Sequence, residues 1–445
     1  MMNLRTQRSS LGFLIVAVLV IVTIQVLISV GILNTFWNTI LRLGTVMAIV
    51  ALGLNLIYGF NGQFSLGQWG FYAIGAYAAA DITYRWTQLG NTSGLIVLLL
   101  VVALVGLVYL LLGRMLARIR GLDALSAFAL YLVGTFAAVI AAIFVGRILI
   151  EPTTAILMAL PSGLALQLVF FLAVLLGGLL AAEVSYLFGL PVLTLGSDYF
   201  GIATLGFTII IKVLADNSDT LLGFEEMKGA RGMIGIPKVS TWLWVASFLL
   251  LAIIVVRNLL QSSNGRAIVS VREDEIAAKA MGIDVAQQKT LTFVLGSLFA
   301  GIAGALYAHI NGFLHPSNFN FIRSFDPLII IVFGGLGSVT GTIFASYAWA
   351  LVLEGFLRLF LPDGFETWRY VVYPVMLLVM MLLRPQGLFG GFEVPFLRQA
   401  LPPLSIPTPG KEEQAPVPER PQANLPGVNL ATAGGGDDPK TPGGD

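Results

Sequence analysis

Long runs of apolar residues alternate with short polar segments over most of this chain of 445 residues. A helix needs about 20 mostly apolar residues to cross a hydrocarbon core roughly 30 Å thick. Runs of this kind predict spanning helices near residues 11–33, 36–58, 94–113, 124–149, 164–188, 199–215, 241–260, 290–309, 343–361 and 369–384. The pattern predicts an all-α, polytopic membrane helical bundle with about 10–12 crossings.

Glycine interrupts two further apolar stretches, 62–80 and 326–341, as in "GFNGQFSLGQWGFYAIGAY" and "IVFGGLGSVTGT". These stretches predict broken or re-entrant helices, which tend to line a pathway because non-helical backbone within a bilayer needs protein or water partners. The predicted substrate pathway consists of Asn61, Gln63, Ser65, Gln68, Gly334, Gly335, Gly337 and Ser338. The sequence leaves open that the glycines only allow close helix packing.

The composition favours lipid as the solvent of this chain. Charged residues make up 11% of the sequence, against about 25% in ordinary soluble domains. Hydrophobic residues make up 57% and the mean hydropathy is +0.88, which a soluble fold could not bury. A net charge of +1 gives no support for a nucleic-acid partner.

The distribution of lysine and arginine predicts the orientation and the domains. Basic residues favour cytoplasmic loops, and one side of the membrane receives Arg5, Arg8, Arg114, Arg118, Arg120, the segment 266–289 and Arg384. Both termini are therefore expected in the cytoplasm, with residues 1–10 as the N-terminus and 11–390 as the transmembrane domain. Ten of the twenty prolines lie within residues 401–445, so we predict a disordered cytoplasmic tail over 391–445.

Sequence motifs for catalysis or metal binding are missing. There is no G-x-x-x-x-G-K-[ST] phosphate loop, and the two histidines, His309 and His315, lack an H-E-x-x-H or cysteine context. We predict no cofactor and no metal site. Ionisable groups within spans usually mark function, and Arg42 and Glu183 are the candidates, although each could lie at a helix end.

The segment 270–284, "SVREDEIAAKAMGID", concentrates charge in an otherwise apolar chain. After a turn at "NGRA", the residues from Arg272 onward predict a short amphipathic helix with Ile276, Ala280 and Ile283 on one side. Small residues at Ala277, Ala278 and Gly282 would let a partner surface approach. The alternative is a solvated loop helix without a partner.

The same segment resembles the coupling loop of ABC-importer permeases, with Glu275 preceding the A-A-x-x-x-G element formed by Ala277, Ala278 and Gly282. The blocks "LGLNLIYGFNGQFSLGQWGFYAIGAY", "SDYFGIATLGF", "RGMIGIP", "GRAIVSVREDEIAAKAMGID", "VFGGLGSVTGT" and "LLRPQGLFG" are similar, in this order, to LivM-type permeases of branched-chain amino-acid ABC transporters. The resemblance covers most of residues 50–390.

This resemblance implies a transport subunit rather than an enzyme. It implies a coupling loop at 264–289, in which an ABC ATPase would be contacted through Arg272, Glu273, Glu275, Ala277, Ala278 and Gly282. The other implied partners are a second, LivH-like permease and an extracytoplasmic solute-binding protein, all at the cytoplasmic (inner) membrane. The solute stays open between amino acids and amides such as urea. An ion-coupled secondary transporter or channel is the alternative function, and a membrane scaffold a third.

Overall fold

The computed structural model describes residues 4–116, 124–194, 197–220, 223 and 225–356, followed by 375, 378–379, 382–384, 387–389 and 393–394. Most of the predicted span 369–384, and the predicted tail apart from Glu393 and Val394, lie outside the described residues. Of the residues in the predicted tail, Glu393 accepts a hydrogen bond from Thr340 Oγ1 at 2.7 Å.

Within the described ranges the chain is built almost entirely of α-helices. They are α1 (Leu4–Ser29), α2 (Thr35–Leu54), α3 (Gln68–Leu89), α4 (Ser93–Leu116), α5 (Ala124–Met158), α6 (Ser162–Val192), α7 (Ser197–Asp216), α8 (Trp242–Gln261), α9 (Ser263–Glu273), α10 (Glu275–Ala280), α11 (Val285–Asn311), α12 (Phe325–Gly334) and α13 (Val339–Trp349). The strands β1 (Met233–Ile234) and β2 (Phe313–Leu314) pair antiparallel.

Nine segments of the described chain are long and apolar enough to cross a membrane. They are α1, α2 with the π-helical Asn55–Phe60, α4 to α8, α11, and α13 with the π-helical Ala350–Phe356. Each matches one of the first nine predicted runs, so the predicted all-α, polytopic fold is confirmed.

Glycines bring α3, α6 and α11 into backbone contact at the centre of the bundle. A Cβ atom at Gly75 of α3 would overlap the backbone of Gly301 of α11, and a Cβ atom at Gly177 of α6 would lie 2.8 Å from the Gly75 carbonyl oxygen. Small residues stabilise membrane bundles by permitting such close approach. Gly75 therefore serves packing, the alternative that the sequence had left open for its glycine-rich stretch.

Both predicted helix breaks are present, and the first lies at the start of its predicted stretch. The π-helical turn Asn55–Phe60 is followed by non-helical residues 61–67, after which α3 is continuous for 22 residues. The predicted stretch 62–80 therefore holds the break in its first residues and a continuous helix after it. The second break, residues 335–338, separates α12 from α13.

The charged segment forms two helices, where a turn at "NGRA" and one helix from Arg272 were expected. The "NGRA" residues belong to the first turns of α9, whose N-cap Ser262 accepts a hydrogen bond from Gly265 N at 3.3 Å. Asp274 has an extended backbone and its carboxylate accepts hydrogen bonds from Ile276 N and Ala277 N at 2.8 and 2.9 Å. This N-cap ends α9 and starts α10, because a capping residue cannot itself be helical.

Helix α11 fixes the two ends of the bundle. Its 27 residues extend over about 40 Å, so its termini lie at opposite ends. We call the end that carries α9, α10 and Val285 the coupling end. The end that carries β1 and β2 is the strand end.

Candidate functional site

Helix α7 holds the non-helical segment 61–67 in place. Thr204 Oγ1 accepts a hydrogen bond from Leu66 N at 3.0 Å, and Thr208 Oγ1 donates to Leu66 O at 3.3 Å. These hydroxyls replace the partners that a helix would have given the Leu66 backbone. Sequence reasoning missed both threonines, although Thr204 lies in the family-like block "SDYFGIATLGF".

The side chains predicted to line the pathway at this break are all buried, with exposed fractions of 2% for Asn61, 6% for Gln63, 1% for Ser65 and 1% for Gln68. Asn61 Nδ2 donates to Thr292 Oγ1 at 2.9 Å, and Ser65 Oγ accepts from Gly67 N at 3.3 Å. Three of these buried side chains, Asn61, Gln63 and Gln68, are amides within eight consecutive positions of the chain, and we call them the amide cluster.

Several polar atoms of this amide cluster are left for a ligand or water. Among the described residues, Asn61 Oδ1, Gln63 Oε1 and both amide atoms of Gln68 have no hydrogen-bond partner. Buried polar groups without a partner are rare, and each calls for a bound molecule or a functional role. These unpartnered buried atoms are three acceptor oxygens and one donor nitrogen, Gln68 Nε2.

The second break is a tight turn that positions the start of α13. Gly335 and Gly337 have φ angles of 111° and 79°, which favour glycine, and Ser338 Oγ accepts from Gly341 N at 3.0 Å as the N-cap. A Cβ atom at Gly334 would overlap the backbone of Gly341, so α12 and α13 touch there. Gly334 has a packing role, and its place in a pathway stays a prediction.

Asn55 joins the two breaks. Its Oδ1 accepts from Gly337 N at 2.9 Å, and its Nδ2 donates to Ser338 O at 3.0 Å and to Thr342 Oγ1 at 2.9 Å. All the polar atoms of its side chain are thereby used. Sequence reasoning missed Asn55; the available signal was an amide near the end of the apolar run 36–58, far from the polar residues at its start.

Arg272 connects the coupling end to both breaks. Its Nη1 donates to the carbonyl oxygen of Gly59 at 2.7 Å, and its Nε donates to Glu273 Oε1 at 3.0 Å. A Cβ atom at Gly337 would lie 3.0 Å from Arg272 Nη1, so the guanidinium is packed against the second break. The structure brings together Arg272 and both predicted pathway segments.

A polar cavity of about 230 Å³ lies between the first break and the junction of α9 and α10. Asn61 and Gln63 line one part of it, and residues 271–275 with Lys289 line another. The amide cluster therefore shares a cavity with charged residues of the coupling end.

Helix α10 turns a different face outward from the one that its sequence predicted. Ala278 is 3% exposed and packs on Val271, Val285 and Ile283, so it faces the bundle and not a partner. Ile276 and Met281 are 81% and 82% exposed. The expectation that Ala277, Ala278 and Gly282 form one outward patch is wrong for Ala278, because its Cβ fills the gap between α9 and α11.

Gly282 and Glu275 set how α10 is attached to α11. Gly282 has a φ angle of 82°, and a Cβ atom there would have no neighbour within 4 Å, so its role is conformational. Glu275 pairs with Lys289 at 2.7 Å and with Lys279 at 3.3 Å. The hydrogen bond from Lys289 lowers the pKa of Glu275 below its ordinary value, and the positive charges of both lysines add to this effect against the opposing effect of burial.

Comparison with known proteins identifies relatives that are permeases. The family model described as "Branched-chain amino acid transport system / permease component" matches residues 36–150 and 121–381. The high-affinity branched-chain amino acid transport system permease protein LivM of Escherichia coli (strain K12) is 31% identical over 253 residues, 49% of this chain and 57% of that relative. This chain thus spans just over half the length of that relative.

Two other relatives carry related names. The probable branched-chain amino acid transport permease protein LivM of Methanocaldococcus jannaschii is 25% identical over 240 residues, 49% of this chain and 68% of the relative. LivH of Salmonella typhimurium, a high-affinity branched-chain amino acid transport system permease protein, is 26% identical over 178 residues, 40% and 54% of the two chains. No solved structure gives a significant match. This chain is a multi-pass membrane protein, and it belongs to the family of branched-chain amino acid transport system permease components.

Proposed function

We propose that this chain is the membrane permease subunit of an ABC importer for amino acids of the branched-chain type or for amide-like solutes such as urea. The relatives named above are permeases of branched-chain amino acid transport. The single observation that carries the proposal is the position of Arg272, which links a charged segment outside the spans to the backbone of both broken helices. An importer whose ATPase lies outside the bilayer, on the cytoplasmic side, needs a connection of this kind between the ATPase and the pathway.

The proposed assembly contains separate ABC ATPase subunits, a second, LivH-like permease and an extracytoplasmic solute-binding protein. The coupling end and both termini face the cytoplasm of a cell whose inner membrane holds the complex. The basic residues of the segment 266–289 support this orientation, because short cytoplasmic loops are enriched in lysine and arginine. The strand end then receives the solute.

The exposed surface of α10 supports docking of the ATPase. Ile276 and Met281 are large apolar side chains that lie almost fully exposed outside the spans. A short helix with apolar anchors is a common ligand for a groove on another protein. Ala277 and Ala280 flank the anchors and leave room for the wall of that groove.

Movement of α10 would reach the pathway through a short series of contacts. Asp274 caps α10 and directly follows α9, which carries Arg272. Arg272 holds the Gly59 carbonyl, and Asn55, one turn earlier, holds the second break at Gly337 and Ser338. If ATP-driven closure of the ATPase subunits displaces α10, both breaks would shift together.

Substitution of the exposed anchors tests the proposal. We expect Ile276→Asp and Met281→Asp to abolish co-purification of ATPase activity with the tagged chain and uptake of radiolabelled leucine, with membrane insertion unchanged. The matched control is Ala286→Asp, an exposed position in the first turn of α11, where a carboxylate is favourable. Retention of the ATPase by both anchor variants would contradict docking at α10.

One observation favours the alternative of an ion-coupled transporter. Glu183 of α6 lies within a predicted span, its Oε2 has no hydrogen-bond partner among the described residues, and a Cβ atom at Gly106 of α4 would lie 3.4 Å from Oε1. Intramembrane carboxyls often carry coupling ions. The importer proposal predicts that Glu183→Gln leaves ATP-driven leucine uptake unchanged. Uptake that instead follows an imposed proton or sodium gradient, and is lost in Glu183→Gln, would favour the alternative.

A further inference from the structure

An apolar cavity of about 500 Å³ lies among the helices α3 to α7. Ile74 of α3, Leu180 of α6 and Ile211 of α7 line one part of it. Leu98 of α4 and Val139 of α5 line another part, so the cavity separates the pair α4 and α5 from α3 and α7. It shares no lining residue with the polar cavity at the coupling end and is a separate site in the fold.

The cavity extends from the strand end into the spanning region. Along α3 its lining residues run from Ala73 to Arg85, which is about 18 Å of helix. Arg85 Nη2 pairs with Glu226 Oε2 at 3.2 Å, and Glu226 lies in a 3₁₀ turn shortly before β1, so Arg85 marks the strand end. This depth is close to half of a hydrocarbon core roughly 30 Å thick, the space that the acyl chains of one leaflet occupy.

The cavity is continuous with the lipid-facing surface of the bundle. Ile143 of α5 lines it and is 40% exposed. Phe136, Ile140 and Phe144 are also exposed and share this face of α5 by helical spacing. Because α5 is long and apolar enough to span the membrane, acyl chains of the bilayer meet this face and can enter the cavity beside Ile143.

Two buried hydroxyl groups line this cavity without a partner. Tyr77 and Ser218 are 6% and 1% exposed. Among the described residues, neither Tyr77 Oη nor Ser218 Oγ has a hydrogen-bond partner. Each hydroxyl carries one O–H donor, and buried polar groups are rarely left unpaired. The two hydroxyls therefore indicate a ligand that brings acceptor oxygens into an otherwise apolar cavity.

The charged groups at the strand end of the cavity pair with each other. Arg85 Nε donates to Asp81 Oδ2 at 2.9 Å, and both side chains line the cavity. Arg85 also pairs with Glu226, so two carboxylates share one guanidinium and this group of three side chains carries an excess of negative charge. It would repel a ligand carboxylate, whereas the ester carbonyl of a lipid is a neutral acceptor.

We propose that this cavity binds one acyl chain of a membrane glycerophospholipid, with Tyr77 Oη and Ser218 Oγ donating hydrogen bonds to the oxygens of its ester group. The hydrocarbon part of the chain packs on the apolar side chains of α3 to α7 and supplies contacts that an empty cavity lacks. The headgroup stays outside the cavity at the strand end. This inference goes beyond the proposed function, because it requires only that the chain spans a membrane.

The test is photolabelling of the full chain in vesicles of dioleoyl phosphatidylcholine. The probe is a phosphatidylcholine with a diazirine in the middle of one acyl chain, and mass spectrometry of peptides locates the labelled residues. We expect labels at Ala73 and Ile82, which line the cavity and are 1% and 2% exposed, so that bulk lipid does not reach them. Labels confined to exposed positions such as Leu107 and Phe136 would overturn the site.

Removal of the two hydroxyls tests the ester contact with almost no change of shape. Tyr77→Phe combined with Ser218→Ala should lower labelling of α3 by the phospholipid about fivefold or more, as expected for loss of two hydrogen bonds. Labelling by hexadecane that carries a diazirine and has no ester should stay at the wild-type level. Tyr84→Phe, on the same helix and outside the cavity lining, is the matched control. Equal phospholipid labelling of the double variant and this control overturns the ester contact.

Filling the cavity tests the binding of the hydrocarbon chain. Ala78 lines the cavity, and Ala78→Phe should lower labelling of α3 by both the phospholipid and the hexadecane probe about tenfold. Ala103→Phe, at an exposed position of α4 outside the lining, should leave both unchanged. Undiminished labelling in Ala78→Phe overturns the cavity as the binding site. The hydroxyl variants keep the proposal testable if the larger side chain prevents folding.

A free fatty acid offers the same hydrocarbon chain with a different polar group. Palmitate with the same diazirine, at an alkaline pH that ionises its carboxyl, should label α3 less than the phospholipid does, because Asp81 and Glu226 repel it. Stronger labelling by palmitate, lost in the double hydroxyl variant, would overturn the ester in favour of a carboxylate ligand. Labelling requires neither ATP nor an ATPase, so its outcome is independent of the outcome for the importer.

Discussion

Asn55 is the residue on which the relation between the two broken helices depends most directly. Its side chain forms three hydrogen bonds, to Gly337 N, Ser338 O and Thr342 Oγ1, and it is 1% exposed. Each buried backbone group that loses its partner costs about 1–3 kcal/mol. The Asn55 amide therefore contributes to the stability of the contact between the two breaks, a role that its position in an apolar run does not indicate.

We expect Asn55→Leu to lower the stability of the purified complex by roughly 2–4 kcal/mol, because Gly337 N and Ser338 O would stay buried without a partner. Thermal unfolding in detergent measures this loss. The control is Thr342→Val, which removes one of the three partners and leaves both backbone contacts of Asn55, so its effect should be smaller. A leucine variant as stable as the valine control would contradict the bridging role.

Glu275 predicts a weak acid sensitivity at the coupling end. Its pKa is lowered in the folded state, first by the hydrogen bond from Lys289, so its contribution to stability is complete above the unfolded value of about 4.5 and is lost as the pH falls through the lower, folded value. Because the carboxylate is 42% exposed, the effect should be small.

The measurement is the protection of α10 amides from hydrogen exchange at pH 7 and below pH 4.5, each corrected for intrinsic rates. Protection should fall on acidification in the wild type and be low at both pH values in Glu275→Gln. Glu273→Gln is the control, because Glu273 contacts Arg272 and not Lys289. An unchanged wild-type response in Glu275→Gln would assign the sensitivity to another group.

At the scale of helices, Gly282 controls how α10 leads into α11. Gly282 N donates to Lys279 O at 3.0 Å and Ile283 N donates to Ala278 O at 3.1 Å, a helix end that requires a left-handed residue. We expect Gly282→Val to distort this end, at about 1–3 kcal/mol, and to weaken ATPase co-purification. Gly282→Asn, which tolerates a positive φ angle, should behave nearly as the wild type. Equal behaviour of the two variants would exclude the conformational role.

The spanning helices were predictable because each is set by its own sequence. About 20 apolar residues form a helix in lipid whatever their neighbours are, and nine predicted runs correspond to helices of the described chain. The boundary between α9 and α10 was missed, since Asp274 also suits a helix of solvated charges. Only its backbone conformation identifies it as a cap.

The site was predictable only in part, because its connections are distant in sequence. Asn55 and Gly337 are 282 positions apart, and Gly59 and Arg272 are 213 apart. The sequence indicated polar, glycine-broken segments, and the structure brings them together. Nothing in the local pattern indicated that Thr204 and Thr208 would satisfy the backbone of Leu66. The pathway roles of the predicted residues stay predictions.

At the scale of the whole molecule, three polar sites lie in series between the ends of the bundle. A cavity lined by Asn311, Arg323 and Glu354 lies toward the strand end, and the amide cluster and the charged cavity follow toward the coupling end. Glycines bring α3, α6 and α11 into close backbone contact in the intervening core, which leaves these helices little room to move. Motion driven from the coupling end is therefore expected in the breaks rather than in the packed helices.

Arg272 connects the proposed ATPase docking helix α10 to the first break. Replacing its side chain should therefore uncouple ATP hydrolysis from transport. In Arg272→Gln the anchors Ile276 and Met281 are intact, so the ATPase should still co-purify and hydrolyse ATP. The hydrogen bond to the Gly59 carbonyl is lost or weakened, because glutamine is shorter than arginine, so movement of α10 no longer displaces the breaks.

We therefore expect leucine uptake per ATP hydrolysed to fall about tenfold or more in proteoliposomes that contain the complete importer with Arg272→Gln, as is typical for loss of a charged hydrogen bond. Glu273→Gln is the matched control, because it changes the neighbouring charge and leaves the contact between Arg272 and Gly59 in place. A ratio equal to that of the wild type would show that force reaches the breaks without Arg272. Loss of ATPase binding would instead place Arg272 in the docking surface.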